Sequence, residues 1–325
     1  MPMPAHEKEI KIFVSRRVDV DSAAVPNSLY VPMRCGAALD TDSAPKYAGD
    51  DTGDNISEKK ARFCEFTVQY WAWKNTAADY CGLCHYRRYL AFSGRTYRQD
   101  EHGLVPCAVL SPRTMEKFGL LDADAMRREI EAHDLVIPSP APVQNIPLPR
   151  GRAHTVRELW EAHDGLFFDK KIIDRLFTLI DETAPEYSAS AREYFAGDLH
   201  RGYNCYVMRR ELFDRLCRFQ FPIIEAMDRE FGSGAFPRSP GYAGEMLFGV
   251  FLHHVLTRET WRACEKPLVL FMETEAAANP AKLIWWYIVY GMDRIVRAVA
   301  APFFPLGSAR REKLKAIYRK LTRSK

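Results

Sequence analysis

The segment Asp50–Tyr89, DDTGDNISEKKARFCEFTVQYWAWKNTAADYCGLCHYRRY, constrains the fold more than any other part of the chain. It runs from an acid-rich polar loop through an aromatic helix into a short apolar strand that ends in His85-Tyr86-Arg87-Arg88. Loop–helix–strand order of this kind belongs to an α/β sheet, in which ligands sit in the crevice outside the carboxyl ends of the strands. A strand that delivers an imidazole and two guanidinium groups to such a crevice points to an anionic ligand, most simply a diphosphate. Alternation along that strand sends His85 and Arg87 to one face and Tyr86 and Arg88 to the other, so one pair reaches the ligand.

The rest of the chain reads as further α/β units. Glu9–Ser15 is a buried first strand followed by Arg16 and Arg17. Helical spacing over Glu58–Asn75 gathers Ala61, Cys64, Val68 and Trp71 on one stripe, widened by Phe63, Phe66, Tyr70 and Trp73, with Arg62, Glu65 and Gln69 on the opposite side. Asp122–His133 reads as a helix and Leu135–Ile137 as a strand. Pro138–Arg152 is a proline-rich loop, of a length that is usually functional or mobile. Helices are expected over Thr155–His163, Leu166–Glu182, Arg210–Phe231 and, after a Gly/Pro-rich turn, Glu245–His254. Asn204–Met208 and Leu268–Met272 complete the strands.

Charge excludes one large class of function. The net charge is +4, but Gly307–Lys325 holds eight Lys or Arg and one Glu, which is +7, so the remainder stands at −3. Such a body is not a basic nucleic-acid binder. It is a slightly acidic domain, residues 1–279, followed by a basic tail, residues 280–325, and tails of this kind most often meet anionic lipid headgroups. Trp285, Trp286, Tyr287 and Tyr290 resemble an interfacial belt, while Asp293, Arg294 and Arg297 interrupt the apolar run before it is long enough to span a bilayer. The N-terminus lacks the apolar core of a signal peptide, so a cytoplasmic protein attached to the inner face of the membrane is expected. Eight cysteines are too few for a disulfide scaffold. The Cys81-Cys84 pair lacks a second ligand pair for zinc and reads as buried strand packing.

Three long motifs, DDTGDNIS (Asp50–Ser57), FCEFTVQYWAWKN (Phe63–Asn75) and DYCGLCHYRRYL (Asp79–Leu90), with weaker echoes at His133–Pro138, Pro185–Tyr187, Asn204–Cys217 and Gly241–Leu252, give the chain a family likeness. Over about residues 10–273 it resembles a bacterial family first catalogued as a domain of unknown function and now associated with capsule and exopolysaccharide glycosyltransferases. The resemblance implies a glycosyltransferase-A-like nucleotide-binding sheet flanked by helices. It also implies transfer from a nucleotide-sugar donor, UDP-linked, to a lipid-linked saccharide acceptor. Some members are associated with galactofuranose transfer. The basic tail lies outside the likeness.

Glycosyl transfer needs neutralisation of the departing diphosphate, a base for the acceptor hydroxyl, and polar groups to hold two sugars. Many enzymes of this fold hold a divalent metal with an Asp-x-Asp pair after a central strand; this chain has His85-Tyr86-Arg87-Arg88 there, so Arg16, Arg87 and Arg88 are the candidate diphosphate ligands, acting as preorganised cations. Asp50, Asp51, Asp54 and Asn55 could bind donor hydroxyls, hold Mn²⁺ or Mg²⁺, or simply cap the helix. Glu245, expected at a helix start, is the candidate base, and the resemblance points the same way. There a helix dipole would lower its pKa and burial would raise it. His85 is the second candidate catalytic group. His163, Asp198, His200 and Asn204 are candidate substrate contacts, with a structural role open for each. A non-catalytic saccharide-binding or scaffold component of a polysaccharide assembly complex is the alternative from another functional class.

Overall fold

A computed structural model describes residues 7–275 apart from 43, 149 and 150, together with scattered positions between 280 and 313. Strands β1 (Ile10–Arg17) and β2 (Tyr30–Cys35) run parallel. After α1 (Lys60–Phe63) and α2 (Phe66–Asn75), β3 (Tyr80–His85) returns parallel to β1 on its other side. Tyr86 and Arg87 then reverse the chain, so that β4 (Arg88–Leu90) runs back with Arg88 opposite His85. β5 (Leu104–Val109), α3 (Pro112–Lys117), α4 (Ala123–Glu131) and β6 (Leu135–Pro138) follow. A small ribbon of β7 (Ala141–Pro142) and β8 (Leu199–His200) brackets α5 (Val156–Glu161), α6 (Lys171–Thr183) and α7 (Ser188–Ala196).

β9 (Tyr206–Arg209) lies antiparallel between β3 and β6, and leads into α8 (Arg210–Phe231) and α9 (Ser239–Arg258). The outermost strand β10 (Ala263–Lys266) is parallel to β6, and β11 (Leu268–Glu273) joins β4 to β5. The sheet therefore forks at β3. Tyr80–Leu83 pair with β9, and beyond them His85 pairs with β4, which leads to β11 and β5. Alternation along β3 sends Cys81 and Leu83 into the core beneath α2, α8 and α9, and Tyr80 and Cys84 into the opposite core, beneath α3 and α4. All eight cysteines are free thiols, and Cys81 and Cys84 are buried on opposite faces.

Three sequence expectations are corrected. The reversal at Tyr86-Arg87 replaces simple alternation through Arg88, because an antiparallel pair puts directly opposed residues on one face; His85 and Arg88 therefore share a side. The helix expected over Glu58–Asn75 breaks at Cys64, which has φ 51° and ψ −131°. The three residues expected together opposite the aromatic stripe then find separate partners. Gln69 is 1% exposed and donates to Gln220 Oε1 at 2.7 Å, Glu65 meets Asn204, and Arg62 pairs with Asp228. Finally, Gly241–Gly244 is not a turn ahead of a helix. α9 starts at Ser239, and its glycines admit close neighbours: a Cβ at Gly244 would lie 2.4 Å from Phe66 Cζ, and one at Gly241 would lie 3.0 Å from the Arg62 carbonyl oxygen.

Much of the tail, including Trp286, Tyr290, Asp293, Arg294, Arg297 and most of Gly307–Lys325, lies outside the described residues. Among the described residues no helix is long and apolar enough to cross a membrane.

Candidate active site

The fork at β3 collects a polar cluster. Tyr203 and Asn204, just ahead of β9, both take left-handed backbone conformations, with φ 75° and 41°. Two adjacent non-glycine residues in this region are costly, and such strain concentrates at functional sites. The joint directs two groups. The Tyr203 amide donates to Glu245 Oε1 at 2.7 Å, and Asn204 Nδ2 donates to Glu65 Oε1 at 3.0 Å. Two carboxylates, one beside the break before α2 and one on α9, are thus fastened to consecutive residues.

Electrostatics separates Glu245 from an ordinary surface carboxylate. Burial raises its pKa, and the Glu65 charge raises it further. The Tyr203 N–H, Arg88 and Arg238 oppose the shift without cancelling it. Burial therefore wins at a residue that stands well inside α9 rather than at its start, where the dipole would have acted most strongly.

Arg88 lies over the Tyr203 ring, 5.1 Å from its centroid, and Arg87 lies over the Tyr86 ring at 5.6 Å. Neither has a carboxylate partner among the described residues, and the buried Nε atom of each lacks a hydrogen bond. His85 sits beside them with a buried, unpartnered Nδ1. Burial holds its pKa well below the ordinary histidine value, helped by the charges of Arg88, Arg87 and Arg17, so the ring is neutral near pH 7. Buried polar atoms without a hydrogen-bond partner are rare in folded proteins, and three of them gather at this strand end.

A second group borders the first. Burial pushes the His200 pKa down to about 4, with His102 and His163 adding repulsion, and the pKa of His163 is lowered in the same way. His163 Nδ1 donates to the Leu159 carbonyl at 2.8 Å, which leaves Nε2 as its outward acceptor. Trp160 meets the edges of both His200 and Tyr242, and the Tyr203 hydroxyl donates to the His102 carbonyl at 3.0 Å.

The structure thus brings together His85, Arg87, Arg88, Asn204 and Glu245, with His163 and His200 alongside. Other candidates are placed elsewhere. Arg16, only 2% exposed, donates to the carbonyls of Ser22 and Ala23 and covers the Tyr47 ring, which ties it to the loop after β1. Asp50 is fully buried and accepts from the amides of Gly36 and Ala37 and the hydroxyls of Ser57 and Thr67, a bracing role. Asp54 accepts from the Tyr70 hydroxyl, and its amide donates to Asn75 Oδ1. Asn55 closes its own turn onto Ser57, and Asp51 is exposed. Asn75 ends the helix that Glu65 begins, about 15 Å away at 1.5 Å per residue. Asp198 is exposed, and its carbonyl accepts from the Val143 amide.

Glu65, Tyr203 and His102 were missed by sequence reasoning. Glu65 had one signal, a lone acid in an otherwise aromatic segment, which the assumption of an unbroken helix grouped with Arg62 and Gln69 opposite the aromatic stripe. Among the described residues, the one trio of His, Cys and acidic side chains close enough to share an ion is Glu129, His133 and Cys264, by the outermost strand β10. Lys266 Nζ already lies 2.9 Å from Glu129 there. A cavity of about 370 Å³ between α5, α6 and α7 shares no lining residue with the polar cluster, and its Arg157 and Arg192 are paired with Asp174 and Asp181.

The architecture is a mixed α/β sheet flanked by helices, with a half-buried carboxylate near Arg88 at its fork. The chain belongs to the family described as "Domain of unknown function (DUF4422)", which matches residues 11–257. Among solved structures it is similar to WbbM, a bifunctional glycosyltransferase in its apo form. Identity is 25% and the TM-score 0.73, over 84% of this chain and 47% of that one. The chain therefore spans about half the length of that protein. No curated protein matches it.

Proposed function

We propose that the protein is a glycosyltransferase that moves a sugar from a nucleotide-sugar donor to a saccharide acceptor. The observation that supports this best is Arg88, unpaired between His85 and the Tyr203 ring, whose own residue's amide holds Glu245. In this reading Arg87 and Arg88 balance the charge of the diphosphate as the bond to the anomeric carbon breaks. Glu245, its pKa raised toward neutrality, takes the proton of the acceptor hydroxyl whose oxygen forms the new bond. Neutral His85 offers a hydrogen bond at the same strand end without adding to the local positive charge. The likeness to WbbM supports the same class.

The finer reading is a UDP-linked donor, with UDP-galactofuranose the first to try. The acceptor is a lipid-linked saccharide of surface polysaccharide synthesis, met at the inner face of the membrane. The tail's exposed Ile284, Trp285, Tyr287, Ile288 and Met292 fit contact with such a surface. The test is thermal stabilisation by a panel of UDP-, GDP- and dTDP-sugars, with and without Mn²⁺, on the wild type and on Arg87→Ala, Arg88→Ala and Glu245→Gln. UDP compounds should stabilise the wild type and lose effect in both arginine variants, whereas Glu245→Gln should keep UDP affinity and lose transfer. Undiminished UDP binding in the double arginine variant would sink the proposal.

A further inference from the structure

An aromatic wall extends outward from Glu245. Tyr242 precedes Glu245 by nearly one turn of α9, so the two share a face of the helix. The Phe167 ring stacks on Tyr242 with centroids 5.7 Å apart and planes at 28°, and His163 stacks on Phe167 at 5.3 Å and 22°. The local chain is built to display Phe167. Gly165 takes φ 69°, its amide donates to the Phe168 carbonyl, and Phe168 is buried against Trp160 and Tyr242. With Phe168 fixed inside, its neighbours turn outward, leaving Leu166 46% and Phe167 47% exposed.

A phenylalanine left 47% exposed within a ring stack, whose far member Tyr242 lies one helical turn from the half-buried Glu245, needs a reason, because leaving that surface wet forgoes the gain from burial. His163 adds a polar edge, since its Nδ1 is committed to the Leu159 carbonyl and Nε2 is left to accept. Apolar faces with a few convergent polar groups are the usual lining of a small-molecule site. The chemistry matches a sugar ring, which has an apolar C–H face and a rim of hydroxyl donors.

We infer that His163, Phe167 and Tyr242 form the seat of the acceptor saccharide, which packs a ring face on Phe167 and donates a hydroxyl to His163 while another hydroxyl reaches Glu245. The inference rests on the proposed transferase reading and adds to it the position and chemistry of the acceptor subsite. It also accounts for the continuity of the stack from α5 to α9. Donor and acceptor then approach Glu245 from different sides, the diphosphate from the β3–β4 reversal and the acceptor from the aromatic wall.

The test uses octyl β-galactoside and octyl β-glucoside as acceptor probes, followed by saturation-transfer NMR and titration, with UDP titrated in parallel. Wild-type protein should bind at least one glycoside. Phe167→Ala, at a half-exposed position that keeps the fold, should weaken that binding about tenfold while UDP affinity stays within about twofold. Phe167→Tyr keeps the ring and should restore binding; Phe167→Leu keeps apolar bulk without the ring and should not. Unchanged glycoside affinity in Phe167→Ala, a parallel loss of UDP affinity, or no glycoside bound by the wild type would each overturn the assignment. The two failures are separable. If UDP binds as expected and Phe167→Ala changes nothing, only the acceptor seat is wrong, whereas absence of nucleotide binding removes the transferase reading itself.

Discussion

Replacing Gly244 by alanine tests whether the Gly241–Gly244 segment is a close-packed helix or a flexible turn. In an exposed helix interior this change would stabilise the protein by about 1 kcal/mol through helix propensity. Here the added methyl would lie 2.4 Å from Phe66 Cζ, 2.7 Å from its Cε2 and 2.9 Å from Ile224 Cδ1. Phe66 is 1% exposed and Ile224 fully buried, so neither can swing out to make room. An ordinary carbon contact is about 3.5 Å or more, so α9 must move by roughly 1 Å or Phe66 must leave its rotamer. Three contacts under 3.0 Å put the overpacking cost in the upper part of the usual range, about 2–3 kcal/mol, and subtracting the propensity gain of about 1 kcal/mol leaves a net loss of about 1–2 kcal/mol. Thermal unfolding should show it as a fall of roughly 1.5–3 °C for a chain of this length.

Gly241→Ala is the internal control. Its methyl would meet the Arg62 carbonyl oxygen at 3.0 Å and Cys64 Sγ at 3.6 Å, a mild crowding offset by the same propensity gain. Its melting temperature should therefore stay within about 1 °C of the wild type. Gly244→Ala should also lower activity, because moving α9 off α2 separates Glu245 from Glu65. If Gly244→Ala melts at or above the wild-type temperature, the packing of α9 on α2 described here is wrong.

The other predictions concern the two acids and the braced loop. Glu65→Gln removes the charge that helps raise the Glu245 pKa, so the acid limb of the pH–rate profile should move to lower pH; a limb that stays in place would separate the two carboxylates functionally. The raised pKa of Glu245 also ties stability to pH. Its contribution is complete below the unfolded-state value and is lost as pH rises through the folded-state value, so Glu245→Gln should flatten the decline of melting temperature between those two values, and an unaltered slope there would count against it. Asp50→Ala strands the amides of Gly36 and Ala37 and the hydroxyls of Ser57 and Thr67, and should cost about 3–5 kcal/mol by chemical denaturation. Asp54→Ala, at an exposed carboxylate that accepts from Tyr70, should cost less than about 1 kcal/mol; equal losses would contradict the division of labour in that loop.

Much of the sheet was legible because its strands are short apolar runs with clear ends. β1, β3, β6, β9 and β11 all fall within a residue or two of where patterning puts them. β4 was not legible, since its reversal uses Tyr86-Arg87 with no Gly, Asn or Asp to announce a turn. The break at Cys64 was hidden for the same reason: a left-handed residue that is not glycine leaves no mark in the sequence, and tertiary contacts hold it. Missing that break misassigned Glu65, which then looked like the polar side of a helix. The start of α9 was misplaced because two glycines and a proline read as a loop, although Pro240 sits in the first helical turn, where proline fits, and the glycines serve close approach. His102 offered no periodicity at all; only the folded chain brings its loop to His163 and His200.

The left-handed pair at Tyr203 and Asn204 has a consequence for how this site can evolve. One short joint grips both acids, so neither can be repositioned alone. A substitution that relaxes the backbone there would release Glu245 and Glu65 in a single step, and chemistry and geometry would fail together. Variation in substrate choice must therefore arise around this joint, in the surrounding walls, while the joint itself stays as it is.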